Sequence, residues 1–219
     1  DKALGYIPVD SVIKGLIDDV RNWHAQENDW RLTREKLEFK YGYDKYGGNC
    51  HMVPNHGLII HSLLHGENDF SETMKIINTC GWDTDCNSGN VGCLMGIKNG
   101  LAGIDSSIEK GIDWRAPVAD RIYIPTAEPS RSISDCATEA VHIVNTARLM
   151  RNQEAWDLKN GAQFHFELPG SVQGFLLSRG TGIVENVERN SELGVRTLRI
   201  QGQEGTAVGS PVFAPSKDI

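Results

Sequence analysis

Apolar residues between positions 10 and 26 fall at three- and four-residue steps, with Ile13, Leu16, Ile17, Val20 and Trp23 on one line. That spacing stacks side chains on a single helical face and predicts an amphipathic helix. A second run with the same period, Trp30, Arg34, Leu37 and Tyr41, meets Gly42, a residue suited to a left-handed helix end. KYGYDKYGGNCH then reads as a loop. Pro54 suits a first helical position, and Gly66 is placed to close the helix NHGLIIHSLLHG. Asp69 with Glu72 three residues on, an acidic relative of the capping box, opens FSETMKIINTC, which stops at Gly81. Helices joined by such short turns predict helix-on-helix packing.

Beyond GWDTDC, glycines at 89, 92, 96, 100 and 103 recur among Val91, Leu94, Met95, Ile97 and Leu101. Each glycine sacrifices about 1 kcal/mol of helix propensity relative to alanine. The expectation is a buried central helix whose glycine face admits close neighbours. DWRAPVADRIYIPTAEPSRS has no clear period and holds three prolines, which marks an irregular crossing or linker. A further helix over about 134–152 is expected to bury Ala137, Ala140, Val141, Val144 and Ala147.

After Gly161 the period changes. FHFEL, VQGFLL, GIVENV, VRTLRI and AVGSPVF read as short strands between Gly and Pro turns. The chain is therefore expected to be mainly α, with a helical domain over 1–126, a linker and helix over 127–158, and a small β-sandwich-like module over 159–219. That module closes on APSKDI without an obvious last strand and reads as truncated. Phe164, Phe166 and Phe175 fit a strand core better than a sugar platform.

Composition narrows the function classes. The 219 residues carry 22 Lys plus Arg against 29 Asp plus Glu, a net charge of −7. No basic surface for nucleic acid or anionic lipid follows from that balance. No apolar run approaches the roughly 18 to 20 residues of a membrane span, and the opening residues lack the pattern of a signal peptide. Five cysteines, Cys50, Cys80, Cys86, Cys93 and Cys136, are an odd set without a CxxC pair. They suggest a reducing, cytoplasmic setting, with most of them small buried hydrophobes and no zinc site.

The chemistry concentrates in Gly81-Trp82-Asp83-Thr84-Asp85-Cys86-Asn87. Where an extended turn becomes a helix, carboxylates at i and i+2 can converge on one point as mid-helix pairs cannot. The helix start also favours negative charge, so a plain capping role for Thr84 or Asp85 stands beside a metal-binding one. Asn87 and Asn90, one turn apart, suit either ordering of ligands or packing. His61 and His65 have a metal-compatible i, i+4 spacing but no recognisable third ligand, which favours packing. Asp18-Asp19 lies inside the first helix and reads as a solvated face.

The stretch HMVPNHGLIIHSLLHGENDFSETMKIINTCGWDTDCNSGNVGCLMGIKNGLAGID resembles the C-terminal part of the ADP-ribosylglycohydrolase family, whose signature reads roughly Gly-Gly-Asp-Thr-Asp-Thr-Asn before a glycine-rich helix. The resemblance covers about residues 1–150. It implies an all-helical fold around two Mg²⁺ ions, with Mn²⁺ as a substitute, and hydrolysis of the glycosidic bond of ADP-ribose attached to a protein or small acceptor. By that likeness Asp83 and Asp85 are metal ligands. Cys86 takes the place of a Thr or Ser hydroxyl ligand; a hard cation prefers oxygen, so a water is expected in its stead. His51, in the loop that borders the family's cleft, is a candidate for substrate contact. The family's Thr-Asp-Asp-type motif and its catalytic acid are not found here, so the catalytic residues are expected in an N-terminal half of the same protein, and the helical domain is expected to be incomplete. The competing expectation is a non-catalytic structural or ligand-binding relative that keeps the scaffold.

Overall fold

The computed structural model describes residues 2–115, 117, 121–123, 133–157, 164–190 and 195–210. The chain divides into two compact units, Asp1–Ile112 and Asp113–Ile219. The sequence draws boundaries at 126 and 158; the contacts draw one, between Ile112 and Asp113.

The described residues of the first unit form five α-helices, α1 (Val12–Gln26), α2 (Trp30–Tyr41), α3 (Met52–His65), α4 (Phe70–Thr79) and α5 (Thr84–Asp105), with short 3-10 turns at Lys2–Tyr6 and Ile108–Lys110. Side-chain oxygens close three of the helix starts. Ser11 accepts from the Lys14 N–H at 3.1 Å, Asp29 from Arg31 at 2.9 Å, and Asp69 from Glu72 at 2.8 Å. The Glu72 side chain does not complete a capping box but turns to Lys75 at 2.7 Å. Gly42 does end α2, with φ −66° and not in the left-handed region. Glycine is needed there for space, since a Cβ would stand 2.5 Å from the Glu38 carbonyl oxygen. Pro54 is the third residue of α3 rather than its first; its missing N–H still falls among the four that a helix start leaves unpaired.

The helix at the centre is α3, which packs against α1, α2, α4 and α5. Leu16, Leu37, Leu58 and Ile77 are fully buried around it, each contributing about 1.5–3 kcal/mol of hydrophobic stabilisation. The expected glycine-faced central helix is thereby corrected. α5 buries only Asn87, Val91 and Met95, while Leu94, Ile97 and Leu101 are exposed. A Cβ on Gly89 would meet nothing within 4 Å, whereas one on Gly57 of α3 would come within 2.9 Å of Leu37 and 3.1 Å of Leu16. The close approach is at α3. Gly100, with φ +65°, kinks α5, a geometry that side-chain-bearing residues rarely adopt.

Asp19 is also more than a solvated face. It accepts from the Tyr41 hydroxyl at 2.6 Å and pairs with Lys40, tying α1 to α2. Asp18 pairs with Lys14 of its own helix.

The second unit contains β1 (Arg121–Tyr123), β2 (Ile133–Asp135), α6 (Cys136–Leu149), β3 (Leu176–Arg179), β4 (Gly182–Asn190), β5 (Val195–Gly202) and β6 (Ala207–Gly209). β1 lies within the stretch expected to be irregular, and pairs antiparallel with β2. Of the residues expected to be buried in α6, only Ala137 is; Ala140 and Val144 are exposed. β4 and β5 form the longest ladder, Gly182 opposite Gly202 through Asn190 opposite Val195, and β3 pairs with β6. The described strands make two-stranded ladders, not the broader sheets of a sandwich. FHFEL forms no strand, although Phe164 and Phe166 gather on Phe175 at ring distances of 4.9 and 6.1 Å. Residues 211–219, where the sequence suggests truncation, lie outside the described residues.

Candidate metal centre

The turn entering α5 carries two consecutive residues of positive φ, Gly81 at +78° and Trp82 at +60°. A left-handed tryptophan costs about 1–2 kcal/mol, so its neighbours must hold it there. The Arg34 guanidinium sits over the Trp82 ring at 4.0 Å and its Nε donates to the Cys80 carbonyl at 2.9 Å. Tyr43 stacks on Trp82 at 5.1 Å with rings inclined by 29°. The chain then reverses into the helix at Asp83.

Behind the turn lies a polar knot. Asn87, 2 % exposed, donates through Nδ2 to the Asn55 Oδ1 at 3.0 Å. Tyr43 lies 3.0 Å from the same oxygen and 2.6 Å from the Asn49 carbonyl, so its one hydroxyl proton is placed between two acceptors. Burial pushes the Tyr43 phenol up; the bond to Asn55 works against this, and the charge of Asp83 adds to it. α3, the loop before it and α5 are thus joined directly beneath the Asp83 turn. Asn90, by contrast, is exposed.

Asp83 occupies the N-cap position of α5 yet makes no side-chain capping bond. Among the described residues, Asp83, Asp85 and Cys86 form the one group of three possible metal ligands whose donor atoms all lie within 4.8 Å of one another. The neighbouring Asp83 side chain, followed by the backbone N–H groups of Cys86 and Asp85 itself, holds the Asp85 carboxyl below its ordinary range. Two carboxyls this close cannot both stay charged cheaply without a proton or a cation between them. The polar contact of the Asp83 carboxyl, then the charges of Asp83 and Asp85, push the Cys86 thiol up. Cys50, from the loop before α3, also lies against Asp83, whose charge is the first cause of its own upward shift.

The sequence did not single out Cys50, and nothing in its spacing from Asp83 marks the contact. Nor did it single out Asn55, Arg34 or Tyr43, whose partners are set by helix packing. The expectation of mostly buried cysteines is corrected as well: only Cys80 is buried, while Cys50, Cys86, Cys93 and Cys136 are exposed. His51 stands at the N-cap of α3, its Nδ1 accepting from the Val53 N–H at 3.2 Å, with the Tyr46 ring 5.2 Å away. His61 and His65 acquire a third ring from α1, with His24 4.6 Å from His65 and His65 4.7 Å from His61, but these nitrogens do not gather as a ligand set. None of the described helices is long and apolar enough to cross a membrane.

The chemistry of the donors divides. Two carboxylates suit a hard divalent cation such as Mg²⁺, and the sulfur of Cys86 does not. No curated protein and no solved structure matches the chain. A family model, ADP-ribosylglycohydrolase, matches residues 1–145, which is about two thirds of the sequence and includes all of the first unit. On that match the chain belongs to the ADP-ribosylglycohydrolase family.

Proposed function

We propose that this chain carries part of the active site of a hydrolase that cleaves the glycosidic bond of ADP-ribose attached to a protein or small acceptor. The observation that carries the reading is the convergence of Asp83 and Asp85 at the start of α5, inside the segment that the family covers. Asp83 and Asp85 would hold divalent cation, Mg²⁺ or Mn²⁺, as a pair of ions in the family pattern. Bound cation would supply positive charge to hold ribose hydroxyls and to lower the pKa of a water for a bond cleavage of oxocarbenium-like character.

The residues of this chain bind and orient. The backbone N–H groups at the first turn of α5 aim the Asp85 carboxylate, and the Asn55–Asn87 bond fixes that turn against α3. Trp82, gripped by Arg34 and Tyr43, sets the backbone direction from which Asp83 projects. The remaining ligands and the catalytic acid would come from an N-terminal half of the same protein. The exposed Leu94, Ile97 and Leu101 of α5 support an apolar neighbour of that kind.

The test is release of free ADP-ribose from arginine-linked and serine-linked ADP-ribosyl peptides by the protein that includes this half, with wild type and Asp85→Asn compared. Hydrolysis lost in the variant supports the reading. Undiminished hydrolysis in Asp85→Asn removes the carboxylate from the site. A second reading, a non-catalytic relative that retains the scaffold, is favoured by one observation, the thiol of Cys86 where the family pattern has a hydroxyl. It requires that ADP-ribose bind without turnover.

A further inference from the structure

The family pattern implies a hydroxyl beside the two carboxylates, and this chain presents sulfur from two directions. Cys86 follows Asp85 in the first turn of α5, with its sulfur inside the 4.8 Å group. Cys50 comes from the loop before α3, more than thirty residues earlier in the sequence, and lies near Asp83 without belonging to the group of three. Both thiols are exposed and no disulfide joins them. The absence of a CxxC pair argued against a zinc site only so long as the ligands were sought close together in sequence.

We infer that the centre at Asp83 and Asp85 is a mixed carboxylate–thiolate site, built to take a borderline divalent cation of the Zn²⁺ class in preference to Mg²⁺, with Cys86 as its sulfur ligand. The inference rests on the reading of the two aspartates as ligands and changes the ion they hold. The physical reason is donor hardness. Mg²⁺ gives up oxygen ligands reluctantly and gains little from sulfur, whereas thiolate selects Zn²⁺ and its neighbours in the first transition row. Two carboxylates and one thiolate supply three negative charges, and each thiol that binds releases its proton to solvent.

Co²⁺ serves as the spectroscopic probe for Zn²⁺, because a cobalt–thiolate bond gives a charge-transfer absorption in the near ultraviolet that a cobalt–oxygen bond does not. The protein that includes this half is titrated with Co²⁺, then with Zn²⁺ or Mg²⁺ as competitor, as wild type, Cys86→Ser, Cys50→Ser and Asp83→Asn/Asp85→Asn. The inference requires the band in wild type, its displacement by Zn²⁺ but not by a large excess of Mg²⁺, its loss in the double aspartate variant, and its loss in Cys86→Ser. Zn²⁺ affinity should fall in Cys86→Ser by roughly tenfold or more, the scale on which even outer partners of a metal act, while Mn²⁺ affinity, followed by paramagnetic relaxation, stays nearly constant. Cys50→Ser, outside the group of three, should leave the band in place. Mn²⁺ binding at the aspartates with no charge-transfer band overturns the thiolate inference and leaves the aspartate reading standing. A band that survives Asp83→Asn/Asp85→Asn places the cobalt on other cysteines and overturns it too. Failure of every ion to bind overturns both.

Discussion

Acidification should destabilise the first unit through one histidine. His61 of α3 is fully buried, and neither ring nitrogen has a hydrogen-bond partner among the described residues. The Trp30 ring meets it at 6.2 Å and His65 at 4.7 Å, with the Arg34 charge close by. Burial, then the like charges of His65, Arg34 and His24, lower its pKa from the ordinary 6.5 to about 3. A depressed pKa means that the unfolded chain takes up a proton which the folded chain refuses. The stability is therefore intact above about pH 6.5 and declines as pH falls, until the folded protein also protonates near pH 3. Each pH unit in that window costs about 1.4 kcal/mol, so moving from about pH 7 to about pH 5 removes about 2 kcal/mol. With an m-value of about 2 kcal/mol per molar in urea, the unfolding midpoint should fall by about 1 M from this group alone. His65, also shifted down by burial, acts in the same direction. The assay is urea unfolding at both pH values for wild type and His61→Leu, which fills similar space and cannot protonate. The variant should lose about 1 M less of its midpoint over the same pH step. An equal loss in both proteins refutes the reasoning, because the acid sensitivity would then come from other groups.

Asp85→Asn should weaken Mn²⁺ binding in calorimetric titration and leave the melting temperature nearly unchanged, since asparagine suits a helix start about as well as aspartate; unchanged affinity contradicts the ligand role. Asn55→Ala strands the buried Asn87 amide and takes an acceptor from Tyr43, which should cost about 1–3 kcal/mol. A double-mutant cycle with Asn87→Ala should return a coupling of about 0.5–3 kcal/mol, and strict additivity would show that the bond carries nothing. Gly66→Ala places a Cβ 1.9 Å from Thr73 Oγ1 and 2.7 Å from Thr73 Cα, and the backbone shift that follows should cost about 3 kcal/mol. Gly89→Ala enters open space on a helix and should stabilise by about 0.5–1 kcal/mol; thermal unfolding of both variants checks the pair, and a destabilised Gly89→Ala would restore the glycine face to α5.

Local chemistry was legible in the sequence. The three- and four-residue periods placed α1 and α2, Gly66 and Asp69 marked the turn between α3 and α4, and the order Asp83-Thr84-Asp85 before a glycine-rich helix pointed to the family and to a candidate site. Each depends on neighbours within a turn or two, where geometry follows from sequence spacing. The sequence misplaced what depends on partners far along the chain. Glycine spacing marked α5 as the central helix, but a period identifies a face and not what covers it, and packing gave the centre to α3, with the tight contact at Gly57. The alanines and valines of α6 had the period of a buried face, and most found no cover. At the site, Asn55 meets Asn87, Arg34 and Tyr43 hold Trp82, and Cys50 reaches Asp83 across separations that no motif records. Residue types near a carboxylate pair are written in the sequence; which sulfur, amide or ring comes to stand beside it is decided by how the helices pack.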